Sequence, residues 1–292
     1  MIYFVTVNYY SGLLISQLIK SLPLTSDENK YKLIIVNNSP SDRSLENFAS
    51  QTTLILDSGS NIGFGSACNF AIKWVYTQDT NATIWLINPD AYFVDSSYLQ
   101  VESFLSNYPK ISILGTIIRT PLNEIWFAGG RFSKLTGIIY SVDRLTNSDA
   151  DYVNCDWISG CSLIINLRNF SECPLFDTNY FLYYEDFDFC QRYAREKHQI
   201  AITKQLNVVH QPSSITNQYI QQKIKHSTYS YLLTLERYTN ILIFTIHFIK
   251  LIVSASILMF IKPKIALGKF QAIFLYWRDR IKASLSSIFR LN

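Results

Sequence analysis

The chain has 292 residues, enough for one large domain or for a domain of about 200–240 residues with an appendage. Hydrophobic residues make up 48% of it and aromatics 15%, which excludes global disorder. The net charge of +4 is carried by the tail: residues 262–292 hold seven cations against the single acid Asp279, and the rest of the chain sums to −2. A nucleic-acid binder spreads basic charge over its folded body, so no nucleic acid is expected as a partner.

The first 90 residues alternate between strand and helix patterns. Ile2–Val7 is a short apolar run suited to a buried strand, and Leu13, Leu14, Leu18, Ile19 and Leu22 then repeat at helical spacing. Leu33–Val36 and Leu54–Leu56 read as further strands, Ala67–Tyr76 as a helix, and Ile84–Ile87 as a fourth strand closed by Pro89. This order implies a parallel sheet with helices on both faces. A helix over Tyr98–Tyr108 and a strand over Ile111–Ile118 follow. Trp126–Phe127, Gly137–Val142 and Leu163–Leu167 then suggest short antiparallel additions. Tyr184–Lys197 reads as a helix, and Ile200–Ile202 and Val208–Val209 as two strands.

The character changes near residue 216, where a domain over 1–215 gives way to a helical, membrane-associating region over 216–292. Ile241–Ile261 is long enough to span a bilayer, although His247, Lys250 and Ser254 place one polar stripe on it. Phe270, Ile273, Phe274, Trp277, Ile281, Leu285 and Ile288 share one helical face, with Lys269, Arg278, Arg280 and Lys282 flanking or opposite. That pattern fits a helix lying in the interface of an anionic membrane, or one packing on its own domain or a second subunit. The five cysteines form no C-x-x-C pair and no secretory signal precedes the first strand, so reduced thiols in a cytoplasmic protein are expected.

Four clusters carry the chemistry. Thr6 and Asn8 follow the first strand, and Asn37-Asn38-Ser39 the second, where ligands of open α/β sheets bind, although such residues also serve turns. Asn61-Ile62-Gly63-Phe64-Gly65-Ser66-Ala67-Cys68-Asn69 supplies glycines and a helix start that could approach phosphates. It is not a dinucleotide fingerprint, which needs a third glycine at Cys68 and a place after the first strand. Asn88-Pro89-Asp90 ends strand four, where a carboxylate suits Mg²⁺ or Mn²⁺ against a diphosphate. In Phe181-Leu182-Tyr183-Tyr184-Glu185-Asp186-Phe187-Asp188 the acids cap a helix start, and the aromatics before them could raise a carboxyl pKa for general-base work. Asp188 and Arg192 are spaced for an ion pair, and His210 becomes a candidate metal ligand beside a metal carboxylate.

N-x-G-F-G-x-A-x-N, N-P-D, D-W-I-S-G-C, F-x-Y-Y-E-D-F-D-F-C-x-R and V-V-H, in that order, resemble glycosyltransferase family 2 over about residues 1–215. The set looks most like its rhamnosyltransferase-like branch, which builds bacterial surface polysaccharides. The resemblance implies an α/β GT-A fold, a Rossmann-like nucleotide-binding sheet with antiparallel additions, here followed by C-terminal amphipathic or hydrophobic helices. It implies Asp90 as metal ligand with His210 assisting, Asp186 as catalytic base with Glu185 as substitute, and Trp157 and Gly160 on the acceptor side. Thr6, Asn8, Asn37, Asn61, Gly63, Gly65, Asn69 and Asn88 complete the expected substrate-binding set. The implied reaction is inverting transfer from a nucleotide-sugar donor, dTDP-rhamnose favoured, to a lipid-linked saccharide acceptor. O-antigen or capsule assembly at the cytoplasmic face of the bacterial inner membrane is the implied setting. The alternative is a degenerate, non-catalytic scaffold in a polysaccharide complex. Two departures stand out: Asn37-Asn38 replaces the family's Asp-Asn, and the metal motif has one acid.

Overall fold

Apolar runs with no polar face demand cover on both sides, and the first half of the chain supplies it. In the computed structural model, which describes residues 1–22, 30–211 and 220–289, this half builds β1 (Ile2–Asn8), α1 (Gly12–Ser21), β2 (Tyr31–Asn37), β3 (Thr53–Asp57), α2 (Phe64–Gln78) and β4 (Thr83–Ile87). These strands pair in parallel in the order β4-β1-β2-β3, and every residue of β1 and β4 is buried. The expected parallel sheet is therefore present.

The second half adds β5 (Ala91–Tyr92), α3 (Val101–Asn107), β6 (Ile111–Arg119), β7 (Ile125–Phe127), β8 (Gly130–Ser133), β9 (Ile138–Ser141), β10 (Tyr152–Asn154), β11 (Ser162–Asn166), α4 (Glu185–Arg195) and β12 (Gln199–His210). β11 inserts antiparallel between β4 and β6, and β12 runs parallel to β6, so the full order is β10-β12-β6-β11-β4-β1-β2-β3. Polar groups inside this sheet are matched. The Trp85 indole donates to Ser162 Oγ at 2.9 Å and Thr116 Oγ1 donates to the same oxygen at 2.9 Å, which ties β4, β11 and β6 together.

Two expectations need correction. The strands expected at Ile200–Ile202 and Val208–Val209 are one strand, β12, with an irregularity between Thr203 and Asn207 that lets it follow β6 to the edge of the site. The strand expected at Gly137–Val142 pairs with β8 in a separate two-stranded hairpin instead of extending the sheet.

The chain divides into two units. The sheet unit comprises Met1–Phe132, Ile139–Phe181 and Glu185–Pro212; the helical unit takes Ser133–Ile138 and Leu182–Tyr184 as well as Ser213–Asn292. The division is thus discontinuous, where the sequence suggested a single boundary. The helical unit contains α5 (Ile220–Tyr238), α6 (Ile241–Ile261) and α7 (Pro263–Phe289), packed around Leu232, Leu235, Phe244, Leu251 and Tyr276. Two members of the α6 polar stripe are satisfied within the unit. His247 bonds the Tyr231 hydroxyl at 2.5 Å and the Thr136 carbonyl at 2.7 Å, and Ser254 accepts from Lys269 at 2.8 Å. α6 is long and apolar enough to cross a membrane, with mean hydropathy 2.3. On α7, Phe274, Trp277 and Ile281 are exposed as the stripe predicts, whereas Phe270 and Ile273 are half-buried. The Leu285 and Ile288 side chains lie outside the described residues.

Candidate active site

The sheet brings sequence-distant motifs together at the ends of its strands. Asp90 follows β4, and the short β5 pairs His210 with Ala91, so β12 delivers its last residue to the acid. His210 Nε2 lies 3.2 Å from Asp90 Oδ1, with side-chain exposures of 8% and 10%. The Gln211 amide donates to the Asp90 carbonyl at 2.9 Å and closes the same corner. His210 Nδ1 is buried without a hydrogen-bond partner among the described residues. On its other side the His210 ring meets the Trp126 indole edge to face, centroids 4.6 Å apart.

The β4–β11 pairing links this corner to the acid cluster. The Asn88 amide donates to the Cys161 carbonyl at 3.0 Å, which sets Gly160-Cys161 beside Asn88-Pro89-Asp90. The Gly160 amide then donates to Asp186 Oδ2 at 2.9 Å, and the Phe187 amide to Asp186 Oδ1 at 2.8 Å. The Cys161 thiol is held in its neutral form by burial first and then by the charges of Asp90 and Asp186, so both carboxylates bear on one buried sulfur. Asp188 and Arg192 form the expected pair, Nε to Oδ2 at 2.8 Å, and Arg192 also donates to the Leu175 carbonyl at 2.7 Å.

Glu185 and Asp186 are adjacent in sequence but differ in surroundings. Glu185 is 6% exposed and lies against the start of α2, where a Cβ on Gly65 would stand 3.3 Å from the Glu185 Cβ. Its Oε2 has no hydrogen-bond partner among the described residues. Burial, reinforced by the neighbouring Asp186 charge, pushes its pKa up to about 8. Burial also raises Asp186, but the backbone N–H groups of Gly160 and Phe187 oppose the shift because they favour the charged form. The pair titrates as a unit, and these hydrogen bonds make Asp186 the member that stays ionised while Glu185 keeps the proton.

The Asp90–His210 pair also fits a divalent cation. Two ligands in neighbouring positions of an octahedral ion at ~2.1 Å stand about 3 Å apart, close to the spacing seen here. No group of three or more His, Cys, Asp or Glu side chains is arranged for a metal among the described residues. The pair would leave most of the shell to phosphate and water, as Mg²⁺ sites commonly do.

No family model matches the chain. It is 24% identical over 217 residues to the N-acetylglucosaminyl-diphospho-decaprenol L-rhamnosyltransferase of Mycobacterium tuberculosis, a match covering 65% of this chain and 69% of that protein. Among solved structures, the mannosyltransferase PcManGT of Pyrobaculum calidifontis, crystallised with GDP-Man and Mn²⁺, superposes with a TM-score of 0.54 at 11% identity. That match covers 95% of this chain and 87% of the other. GalNAc-T7, crystallised with UDP, GalNAc and Mn²⁺, gives 0.59 at 11% identity over 81% of this chain, which spans 47% of its length. The chain has the GT-A fold and is a glycosyltransferase.

Within this glycosyltransferase several residues expected to meet substrate also make hydrogen bonds that hold the fold. Asn69 spans the Phe176 backbone, donating to its carbonyl at 2.9 Å and accepting from its amide at 2.8 Å, so both ends of its amide serve packing. Asn8 donates to Asn37 Oδ1 at 3.1 Å and to Asp42 Oδ2 at 3.0 Å, and accepts from the Ser11 amide and hydroxyl, each at 2.9 Å. Asn8 and Asn37 therefore join the ends of β1 and β2. Asp42 was not singled out by the sequence because it lies outside the strand-end motifs. Asn61 accepts from Asn38 at 3.0 Å and from the Gly63 amide at 3.1 Å, which fixes the loop before α2.

The glycines of that loop admit the acid segment. Gly63 has φ +87°, and a Cβ there would stand 2.3 Å from the Phe181 carbonyl oxygen, which itself accepts from the Phe64 amide at 3.0 Å. A Cβ on Gly65 would meet the Phe176 side chain at 3.0 Å. These close approaches account for both glycines without a phosphate. Trp157 lies flat on Gly130, where a Cβ would be 2.1 Å from its Nε1, and packs on Phe127 with centroids 4.9 Å apart. Its Nε1 is buried and without a partner among the described residues, as is Thr6 Oγ1. Of the expected set, the geometry gathers Asn88, Asp90, Gly160, Asp186 and His210; Glu185 faces α2.

Proposed function

We propose that the enzyme moves a hexosyl unit, rhamnose by preference, from a nucleotide-activated donor to a lipid-linked saccharide, with inversion at the anomeric carbon. The observation that carries this reading is the placement of Asp186 and Asp90 around Cys161, one carboxylate anchored by two amides and the other paired with His210. The name of the mycobacterial relative, a rhamnosyltransferase acting on a diphospho-polyprenol-linked sugar, supports the sugar and the class of acceptor. dTDP-rhamnose is the favoured donor, and O-antigen or capsule assembly at the cytoplasmic face of the inner membrane is the favoured setting. The apolar α6 and the basic residues of α7 support work beside a membrane.

In this mechanism Asp186 accepts the proton of an acceptor hydroxyl as its oxygen attacks the anomeric carbon. The carbon–oxygen bond to the diphosphate breaks, and the nucleoside diphosphate leaves with the bonding electrons. Mg²⁺ or Mn²⁺, when bound at Asp90 and His210, supplies positive charge against the leaving diphosphate. The Gly160 amide aims Asp186, and burial raises its basicity toward neutral pH.

Asp186→Asn keeps the shape and one of the two amide contacts but loses the base. Donor binding, followed by thermal shift with dTDP-rhamnose, should persist while turnover falls roughly 10²–10⁴-fold. Near-normal turnover in this variant would overturn the assignment and pass the role to Glu185.

A further inference from the structure

Trp126 sits on β7, and the register of β7 against β6 is broken at this residue. Ile118 pairs with Phe127 and Arg119 with Ile125, so Trp126 is the extra residue of a bulge. Bulges re-aim a side chain, and they are over-represented beside active sites. Here the bulged indole meets the imidazole of His210, the last residue of β12, at 4.6 Å between centroids and 66° between planes. Trp126 stays 42% exposed, so the core does not hold it in place.

The rest of the imidazole is weakly held. Nε2 faces Asp90 at 3.2 Å, but Nδ1 is buried with no hydrogen-bond partner among the described residues. A histidine ligand ordinarily has its second nitrogen bonded to a carboxylate, a carbonyl or water, and that bond fixes the ring plane. We propose that Trp126 performs this orienting role by ring contact: its bulge-directed indole sets the His210 plane so that Nε2 and Asp90 Oδ1 converge on a divalent cation. Trp126 is thus a positioning residue, and the inference rests on the reading of Asp90 and His210 as the cation pair.

The test uses the full-length protein in detergent with Mn²⁺ as the probe, alone and with dTDP, and reads free Mn²⁺ by electron paramagnetic resonance. Trp126→Ala should weaken Mn²⁺ binding about tenfold, the loss typical when the support of a ligand is removed. Trp126→Phe keeps an edge-to-face ring and should stay near the parent. Mn²⁺ should also quench part of the parent's tryptophan emission, and that part should vanish in Trp126→Phe while Trp74, Trp85, Trp157 and Trp277 still emit. Melting temperatures separate a positioning effect from misfolding, and if Trp126→Ala does not fold, the Trp126→Phe quenching decides. Parent-like Mn²⁺ affinity in Trp126→Ala, or undiminished quenching in Trp126→Phe, overturns the proposal while loss of binding in Asp90→Asn leaves the metal reading intact. A parent chain that binds no Mn²⁺ in either condition, or Asp90→Asn with parental affinity, overturns the metal reading and this inference with it.

Discussion

Glu185 and Asp186 show how one peptide bond can separate two electrostatic roles. Asp186 receives two backbone N–H groups, whereas Glu185 has a buried oxygen with no partner among the described residues. This difference has a consequence for stability. A glutamate in the unfolded chain titrates near ~4.3, whereas Glu185 in the folded chain titrates at about 8. Between these values the unfolded state has released the proton and the folded state has not, so ΔG of unfolding falls as pH rises. The stability associated with the neutral carboxyl is fully present below the unfolded value and is lost as pH climbs through the folded one. Glu185→Gln removes the titration but keeps the shape. Its urea midpoint relative to the parent should rise steadily from about pH 5 to pH 8, and a difference constant across that range would show that Glu185 is not held neutral.

At the scale of elements, the site is assembled by pairings. β11 lies antiparallel beside β4 and brings Gly160 to Asn88, while β12 pairs with β5 and brings His210 to Asp90. The start of α2 receives the segment that leads to the acids through the approach of Gly63 to Phe181. Tyr183 and Tyr184 then both take left-handed φ values, 69° and 64°. Such values cost of order 1–3 kcal/mol each in a residue with a Cβ, so their surroundings must hold them. Within the helical unit, Ser230 donates to the Leu182 carbonyl at 2.9 Å and the Tyr184 ring meets Tyr231 with centroids 5.7 Å apart. Gly63→Ala should lower stability by roughly 1–3 kcal/mol from its backbone conformation alone, with a further loss as the Phe181 carbonyl is displaced. Turnover should fall as well, because Asp186 lies only a few residues along the chain. A parental urea midpoint together with parental turnover would show that the close approach is not structurally required.

At the scale of the whole molecule, the tail charge and the apolar surface make separable predictions. Seven cations lie in residues 262–292, but Arg280 pairs with Glu236 and Arg278 with Asp279, each at 2.8 Å. Lys262, Lys264 and Lys282 are exposed. Each basic residue near an anionic leaflet contributes ~1 kcal/mol, a contribution that salt screens. The apolar face of α6, with Phe260 91% exposed, is indifferent to salt. Membrane-bound protein should therefore stay in the pellet at about 1 M salt, where the Debye length is ~3 Å, and should enter solution only with detergent. Release by salt alone would make the basic residues of α7 the main anchor.

The alternating β and α patterns of the first 90 residues determined the parallel half of the sheet. Apolar period and strand length are local properties, and burial on both faces leaves such runs few alternatives. The spacing of Asp188 and Arg192 determined their pair for the same local reason. Asn88-Pro89-Asp90, the acid pair and His210 were legible as candidates because they occur together, in order, at strand ends and a helix start of one α/β pattern. Tertiary structure decided which amides are consumed: Asn69 is spent on Phe176, 107 residues away, and Asn8 on Asn37 and Asp42. It also decided that Gly63 and Gly65 admit the Phe176–Glu185 segment, a close approach between parts of the chain with no local signature. The joining of β12 into one strand and the re-aiming of Trp126 by a bulge were set by register against β6. Register depends on the partner strand, and a single strand's own sequence does not contain it.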